Sequence, residues 1–117
     1  MKPWVKNVAV KLAATSSYPR YQHGAAIERG GNILALGVNS AKPHRLNTAR
    51  STTHAEEHAL KLAGEAASGA SLYVARVTKG KIAHSRPCEE CQALIREAGV
   101  RRVYYSIDAQ TWAEFEL

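Results

Sequence analysis

Apolar residues Trp4, Val5, Val8, Ala9 and Leu12 recur three and four positions apart, with Lys2, Lys6 and Lys11 interleaved, which predicts an amphipathic first helix. Ser16, Ser17 and Pro19 end it. Residues 22–28 and 33–38 then read as strands, and Arg29-Gly30-Gly31-Asn32 between them is a hairpin signal, so a sheet opens with an antiparallel pair. Residues 40–53 show little periodicity and read as a loop. Over residues 54–67, Ala55, Ala59, Leu62 and Ala63 make the apolar stripe of a second helix, with Gly69 beyond its end. Residues 72–77 are a largely apolar, buried strand, and Lys79-Gly80-Lys81 mark residues 78–85 as a turn rather than an element. Residues 88–98 form a third helix stopped by Gly99, and Val103, Tyr104 and Tyr105 make residues 100–107 β-rich. Strand, helix, strand in succession implies parallel pairing through a right-handed crossover. The tail, residues 109–117, fits either a short helix or a final edge strand, because Trp112, Phe115 and Leu117 satisfy both over so short a stretch.

A chain of 117 residues buries one core but not two, so residues 1–117 are expected to form a single domain. With 45% hydrophobic and 22% charged residues the composition is that of a globular protein and gives no sign of disorder. No apolar run suffices for a membrane span, and Lys6, Asn7 and Lys11 break residues 5–14 well short of a signal sequence. Sixteen Lys and Arg against ten Asp and Glu leave a formal charge of +6, which favours phosphorylated substrates or polyanions but equally fits a generally basic surface. In the loop over residues 40–53, Lys42, His44, Arg45 and Arg50 suit a phosphate grip, or else a solvated basic loop without a ligand.

The candidate chemistry gathers in two stretches, Thr53-His54-Ala55-Glu56 and Arg86-Pro87-Cys88-Glu89-Glu90-Cys91. Neutral imidazole and thiolate are ligands Zn²⁺ prefers, and His54, Cys88 and Cys91 would leave its fourth tetrahedral position open, the count of a catalytic site. Cys88 and Cys91 share one face of a helix that begins after Pro87, where the helix dipole favours thiolate. His54 and Glu56 are two apart, so they converge on one ion only at a helix start, with Thr52 and Thr53 as expected caps and Glu56 as the base. If both cysteines are ligands, none remain for a disulfide, and a reducing cytoplasm is the expected compartment. Two other patterns compete. His54-Ala55-Glu56-Glu57-His58 fits H-x-x-E-H, in which Glu57 would be the base and His58 a ligand, and Cys88-Glu89-Glu90-Cys91 fits a thioredoxin-like redox pair. Each leaves part of the set without a role. His58 is expected on the helix surface or behind the site, and His44 and His84 in solvent; Trp4, Trp112, Tyr104 and Tyr105 are expected in core or interface.

His54-x-Glu56 followed by Pro87-Cys88-x-x-Cys91 resembles the signature of the zinc-dependent cytidine and deoxycytidylate deaminase superfamily. The likeness extends to Gly24-Ala25-Ala26-Ile27, Gly37-Val38-Asn39 and Leu72-Tyr73-Val74-Ala75, in the expected order, from about residue 20 to residue 105. It implies a three-layer α/β/α sandwich, cytidine deaminase-like, with a mixed sheet of four to five strands. The short C-terminus departs from the family and puts the fifth strand and any capping helices in question. The resemblance also implies that Asn39 contacts sugar and base, that the backbone amide of Ala55 holds the base carbonyl, and that the carbonyl of Arg86 accepts from the departing amine. Small residues through Ala26 would let a flat base approach the backbone, and His23 before them is either a pocket wall or a plain loop residue.

The expected activity is hydrolytic deamination of a cytosine nucleoside or nucleotide, such as cytidine, deoxycytidine or a monophosphate, to the uracil product and ammonia, with Zn²⁺ as cofactor. Deamination of cytosine or adenine in single-stranded DNA or RNA is the alternative that the positive charge favours, although Glu89 and Glu90 oppose a polyanion across their helix. A non-catalytic zinc module is the third reading, opposed by the intact Glu56. No membrane partner is expected, and the family and the aromatic chain ends are compatible with a homo-oligomer.

Overall fold

The computed structural model describes residues 1–17, 22–41 and 52–117. The first helix, α1 (Pro3–Ala13), carries its proline in the first turn, where a backbone N–H has no intrahelical partner anyway, and buries Val5, Ala9 and Ala13. Two strands follow, β1 (Gln22–Arg29) and β2 (Asn32–Val38), paired antiparallel with Arg29 opposite Asn32. Gly30 and Gly31 between them both have positive φ, 60° and 86°, so the hairpin closes on the two residues read from sequence.

Two short segments, β3 (Ser40–Ala41) and β4 (Thr52–Thr53), pair with each other where a plain loop was expected. The four basic residues of that loop lie outside the described residues. The second helix, α2 (Ala55–Ala63), is shorter than expected: Gly64 breaks it and a 3-10 turn, Gly64–Ala67, completes the stretch. After it come β5 (Ser71–Thr78), β6 (Lys81–Ala83), α3 (Glu89–Glu97), β7 (Arg102–Ser106) and β8 (Trp112–Glu116).

Among the described residues the main sheet has six strands rather than four to five. Its path is β2-β1-β5-β7-β8, with β6 paired to β5 off that path. The β5–β7 pair is parallel, joined by the crossover through α3, and the other pairs are antiparallel. Pairing with β7 reaches only Val74, which leaves Arg76, Val77 and Thr78 to β6. The expected turn there is therefore a hairpin, whose tip residues Lys79 and Gly80 have φ of 53° and 75°. The tail is an edge strand: Phe115 packs against the core from β8, while Glu114 and Glu116 alternate with it.

One face of the sheet packs on α1 through Val5, Ala9, Ala26, Tyr73, Ala75 and Tyr104. The other packs on α2 and α3 through Ala25, Ile27, Leu72, Val74 and Val103 against Ala55, Ala59, Cys91 and Ile95. This is the three-layer α/β/α arrangement. Both helices on opposite faces sit very close to the sheet. A Cβ on Gly24 would overlap the α1 backbone at Ala9 and Ala13, and one on Gly37 would overlap the α2 backbone at Ala55 and Ala59. Among the described residues no helix is long and apolar enough to cross a membrane.

Candidate active site and metal centre

The helices α2 and α3 both begin at the end of the sheet where β1 starts and β2 finishes. His54 is the N-cap of α2 and Cys88 the N-cap of α3, both with extended backbone. Thr52 and Thr53 therefore do not cap α2; they belong to β4, and the cap position falls to the histidine itself. His54 Nδ1 stands 3.1 Å from Cys91 Sγ and 3.8 Å from Cys88 Sγ, and the three ligand atoms all lie within 4.8 Å of one another. Donors about 2.1 and 2.3 Å from a tetrahedral Zn²⁺ stand roughly 3.6–3.8 Å apart, so this trio fits the ion in both chemistry and spacing. Cys91 is fully buried in the core and Cys88 is exposed, which anchors one side of the centre and leaves the other accessible.

Glu56 sits one residue into α2 and is only 5% exposed. Burial pushes its carboxyl up from 4.5 to about 7; its own backbone amide opposes the rise and Glu57 adds to it. Two residues beyond the histidine, Glu56 carries a buried carboxyl of the kind that exchanges protons near neutral pH. Ala55, the first helical residue, offers a backbone N–H from the unpaired set at a helix start.

Asn39 lies just past β2 and is buried. Its Oδ1 accepts from the His23 amide at 2.8 Å, its own amide donates to the His23 carbonyl at 3.3 Å, and Ser16 Oγ donates to its carbonyl at 3.1 Å. His23 begins the β1 edge of this wall, in register with Arg76. Burial, then the charges of Arg76 and His54, push His23 down from 6.5 to about 4, so its imidazole is neutral at physiological pH. His23 thus lies in a strand rather than a loop. Ala26 is not brought there. Strand alternation turns it to the opposite face, under α1, and the small residues at Gly24 and Ala26 serve helix packing rather than a base.

Arg86 precedes the cysteine stretch with its guanidinium exposed, 3.2 Å from Tyr105 Oη and stacked over Tyr105 and Phe115. His58 points elsewhere than the metal centre: its Nδ1 lies 3.3 Å from both the backbone N and O of Val38. Among the described residues the one metal-holding group is His54, Cys88 and Cys91, which sets aside the H-x-x-E-H and redox-pair patterns. Two residues that shape the centre escaped the sequence reading. Ser85 and Ser106 are buried and tied together: Ser85 N donates to Ser106 O at 2.8 Å, Ser106 N donates to Ser85 Oγ at 2.8 Å, and Ser85 Oγ donates to Val74 O at 2.9 Å. They hold the approach to Cys88 against β5 and β7, and nothing in a lone serine on either side predicts it.

The sequence model for the cytidine and deoxycytidylate deaminase zinc-binding region matches residues 2–107. The chain belongs to this family. Its fold and its ligand set are those of hydrolytic zinc deaminases, and Zn²⁺ is the metal of the centre. Riboflavin biosynthesis protein RibD of Escherichia coli strain K12 is 35% identical over 102 residues, covering 85% of this chain and 25% of that protein. The chain spans about a quarter of the length of the curated relatives it matches. The dCMP deaminase of the cyanophage S-TIM5 is similar at a TM-score of 0.69 and 30% identity, over 92% of this chain and 86% of that one. A structure from work on A-to-I editing by tRNA:A34 deaminases at the wobble position is similar at 0.50 and 30% identity, over 72% and 58%.

Proposed function

We propose that this deaminase-family chain hydrolyses the exocyclic amine of a cytosine nucleoside or nucleotide, releasing ammonia and the uracil compound. The observation that carries the reading is the buried Glu56, its carboxyl raised to about 7, one residue beyond the amide of Ala55 and two beyond the ligand His54. His54, Cys88 and Cys91 would hold the zinc ion, which would supply Lewis-acid activation of water at neutral pH. Glu56 accepts the proton from that water at a carboxylate oxygen and delivers it to the ring nitrogen. It then takes the remaining hydroxyl proton and passes it to the amine, so that the C–N bond breaks, ammonia leaves and the new C–O bond becomes the carbonyl. The Ala55 amide orients the base through its carbonyl, and the backbone carbonyl of Arg86 accepts from the amine. Asn39, fixed by His23 and Ser16, faces sugar and base, with His23 as a neutral wall beside it. Ala26 has no part in this arrangement.

The likeness to a phage dCMP deaminase along most of both chains supports a small nucleotide. A second reading, deamination within single-stranded nucleic acid, is favoured by the likeness to tRNA:A34 deaminases and by the formal charge of +6. The RibD likeness adds an amino-bearing heterocycle of riboflavin biosynthesis to the compounds worth offering. The test is a mass-spectrometric panel on zinc-loaded protein: cytidine, deoxycytidine, their monophosphates, adenosine and single-stranded oligonucleotides, with Glu56→Gln alongside. Conversion of free cytosine compounds, lost by roughly 10²-fold or more in Glu56→Gln at unchanged zinc content, supports the proposal. Conversion of oligonucleotides alone moves the chain to the second reading, and full turnover in Glu56→Gln removes the base assigned here. Cytoplasmic location and self-association belong to the same proposal.

A further inference from the structure

The sheet has a second polar concavity at its other end. It is a cleft of about 310 Å³, bounded by Lys2 before α1, Glu28 and Arg29 at the end of β1, Ser71 at the start of β5, and Arg101 and Arg102 at the start of β7. The zinc trio and His23 lie toward the opposite ends of these strands; from Ser71 to Arg76 along β5 is about 17 Å.

The floor of the cleft is already neutral. Glu28 is 2% exposed, and its Oε2 accepts from Lys2 Nζ at 3.1 Å and from the Gly31 amide at 2.7 Å. The walls are not. Arg29 Nη1 donates to the Ser68 carbonyl at 2.9 Å, an uncharged partner that leaves its charge uncompensated. Arg101 is exposed, and its guanidinium has no hydrogen bond or ion pair among the described residues, although its backbone is bonded to Ala70 and Leu117. Arg102 is paired with Glu116 at 2.7 Å, which holds its fork at the rim. The pair of exposed Lys2 with buried Glu28 thus neutralises the base beneath two uncompensated guanidiniums and a third held by Glu116. Arg29 and Arg101 line one concavity, and guanidiniums are the side chains best suited in charge and shape to the oxygens of a phosphate group.

We propose that this cleft is a second ligand site, separate from the zinc centre, that takes a small phosphorylated anion. The volume suits a phosphate or pyrophosphate group with part of the molecule that carries it. Because the cleft lies beyond the far ends of the strands, its occupant is not the substrate of the zinc centre. The inference does not depend on which base that centre deaminates.

The test uses the zinc-loaded protein, titrated with inorganic phosphate and with pyrophosphate at constant ionic strength, and followed by calorimetry and by amide chemical shifts. The expected result is saturable binding, tighter for pyrophosphate, with shifts at Gly30, Ser71 and Arg101. Arg101→Ala and Arg29→Ala should each weaken it about tenfold or more, the loss of a charge-assisted contact. Arg96→Ala, on α3 outside the cleft, should leave it unchanged, and all three variants should retain zinc and melting temperature. Failure of either probe to saturate, or affinity undiminished in Arg101→Ala and Arg29→Ala, would overturn the proposal. So would binding shown only by a single-stranded oligonucleotide, with the steep salt dependence of a polyanion.

Discussion

Replacing Gly37 by alanine adds one methyl group on β2, at the place where α2 lies closest to the sheet. The new Cβ would overlap the Ala55 carbonyl oxygen and would stand 2.6 Å from the Ala59 amide nitrogen and 3.0 Å from the Ala59 side chain. Two of those three atoms are helix backbone, so no rotamer change relieves the overlap. Restoring ordinary contact at the Ala55 carbonyl as well as at Ala59 moves the start of α2 by about 1 Å relative to β2. Losing a glycine from the unfolded chain stabilises by only about 0.4–1 kcal/mol, against roughly 1–3 kcal/mol for overpacking, so a net loss of about 1–2 kcal/mol is expected. The same displacement carries Ala55 and Glu56 away from Asn39. A 1 Å misplacement costs a catalytic site up to about 10²-fold, so kcat should fall roughly 10- to 100-fold. Urea unfolding of zinc-loaded protein reads the first effect, and kcat on whichever compound the deamination panel identifies reads the second. Leu36→Ala, on the neighbouring exposed position, is the control. If Gly37→Ala matched the unsubstituted protein in both measurements, the close seating of α2 on β2 would be wrong.

The pH dependence of turnover should carry Glu56. Burial is the largest cause that raises its carboxyl to about 7, and a bound Zn²⁺ beside it would lower it, so kcat/KM should fall as pH drops below neutral and the base becomes protonated. A limb that persists in the residual activity of Glu56→Gln would assign it to another group. The two cysteines should separate cleanly on substitution. Both Cys88→Ala and Cys91→Ala should lose zinc by elemental analysis, and activity with it. Only Cys91→Ala, fully buried among Ile95, Leu72 and Val74, should add a packing loss of about 1 kcal/mol in chelator-treated protein. Equal stability of the two would contradict the placement of Cys91 in the core.

Much of this protein is written locally in its residues. The helical spacing from Trp4 to Leu12, the Gly30-Gly31 turn and the apolar run of β5 each depend on neighbours within a few positions, so the order of elements follows from sequence, while the three-layer fold class comes from the family resemblance. Metal chemistry is equally local in kind: His, Cys and Glu have the donors and protons they have wherever they sit, and His54, Glu56, Cys88 and Cys91 declare themselves by type and spacing. What sequence could not decide depends on which face of a strand meets which helix. Gly24 and Ala26 are small because α1 presses on them, a fact invisible until β1 alternation is set against that helix. Long-range pairing alone made β6 a strand and the tail β8, since a strand's stability comes from a partner distant in sequence. The raised carboxyl of Glu56, the neutral imidazole of His23 and the serine pair behind Cys88 likewise exist only once burial removes water from groups that the chain alone leaves solvated.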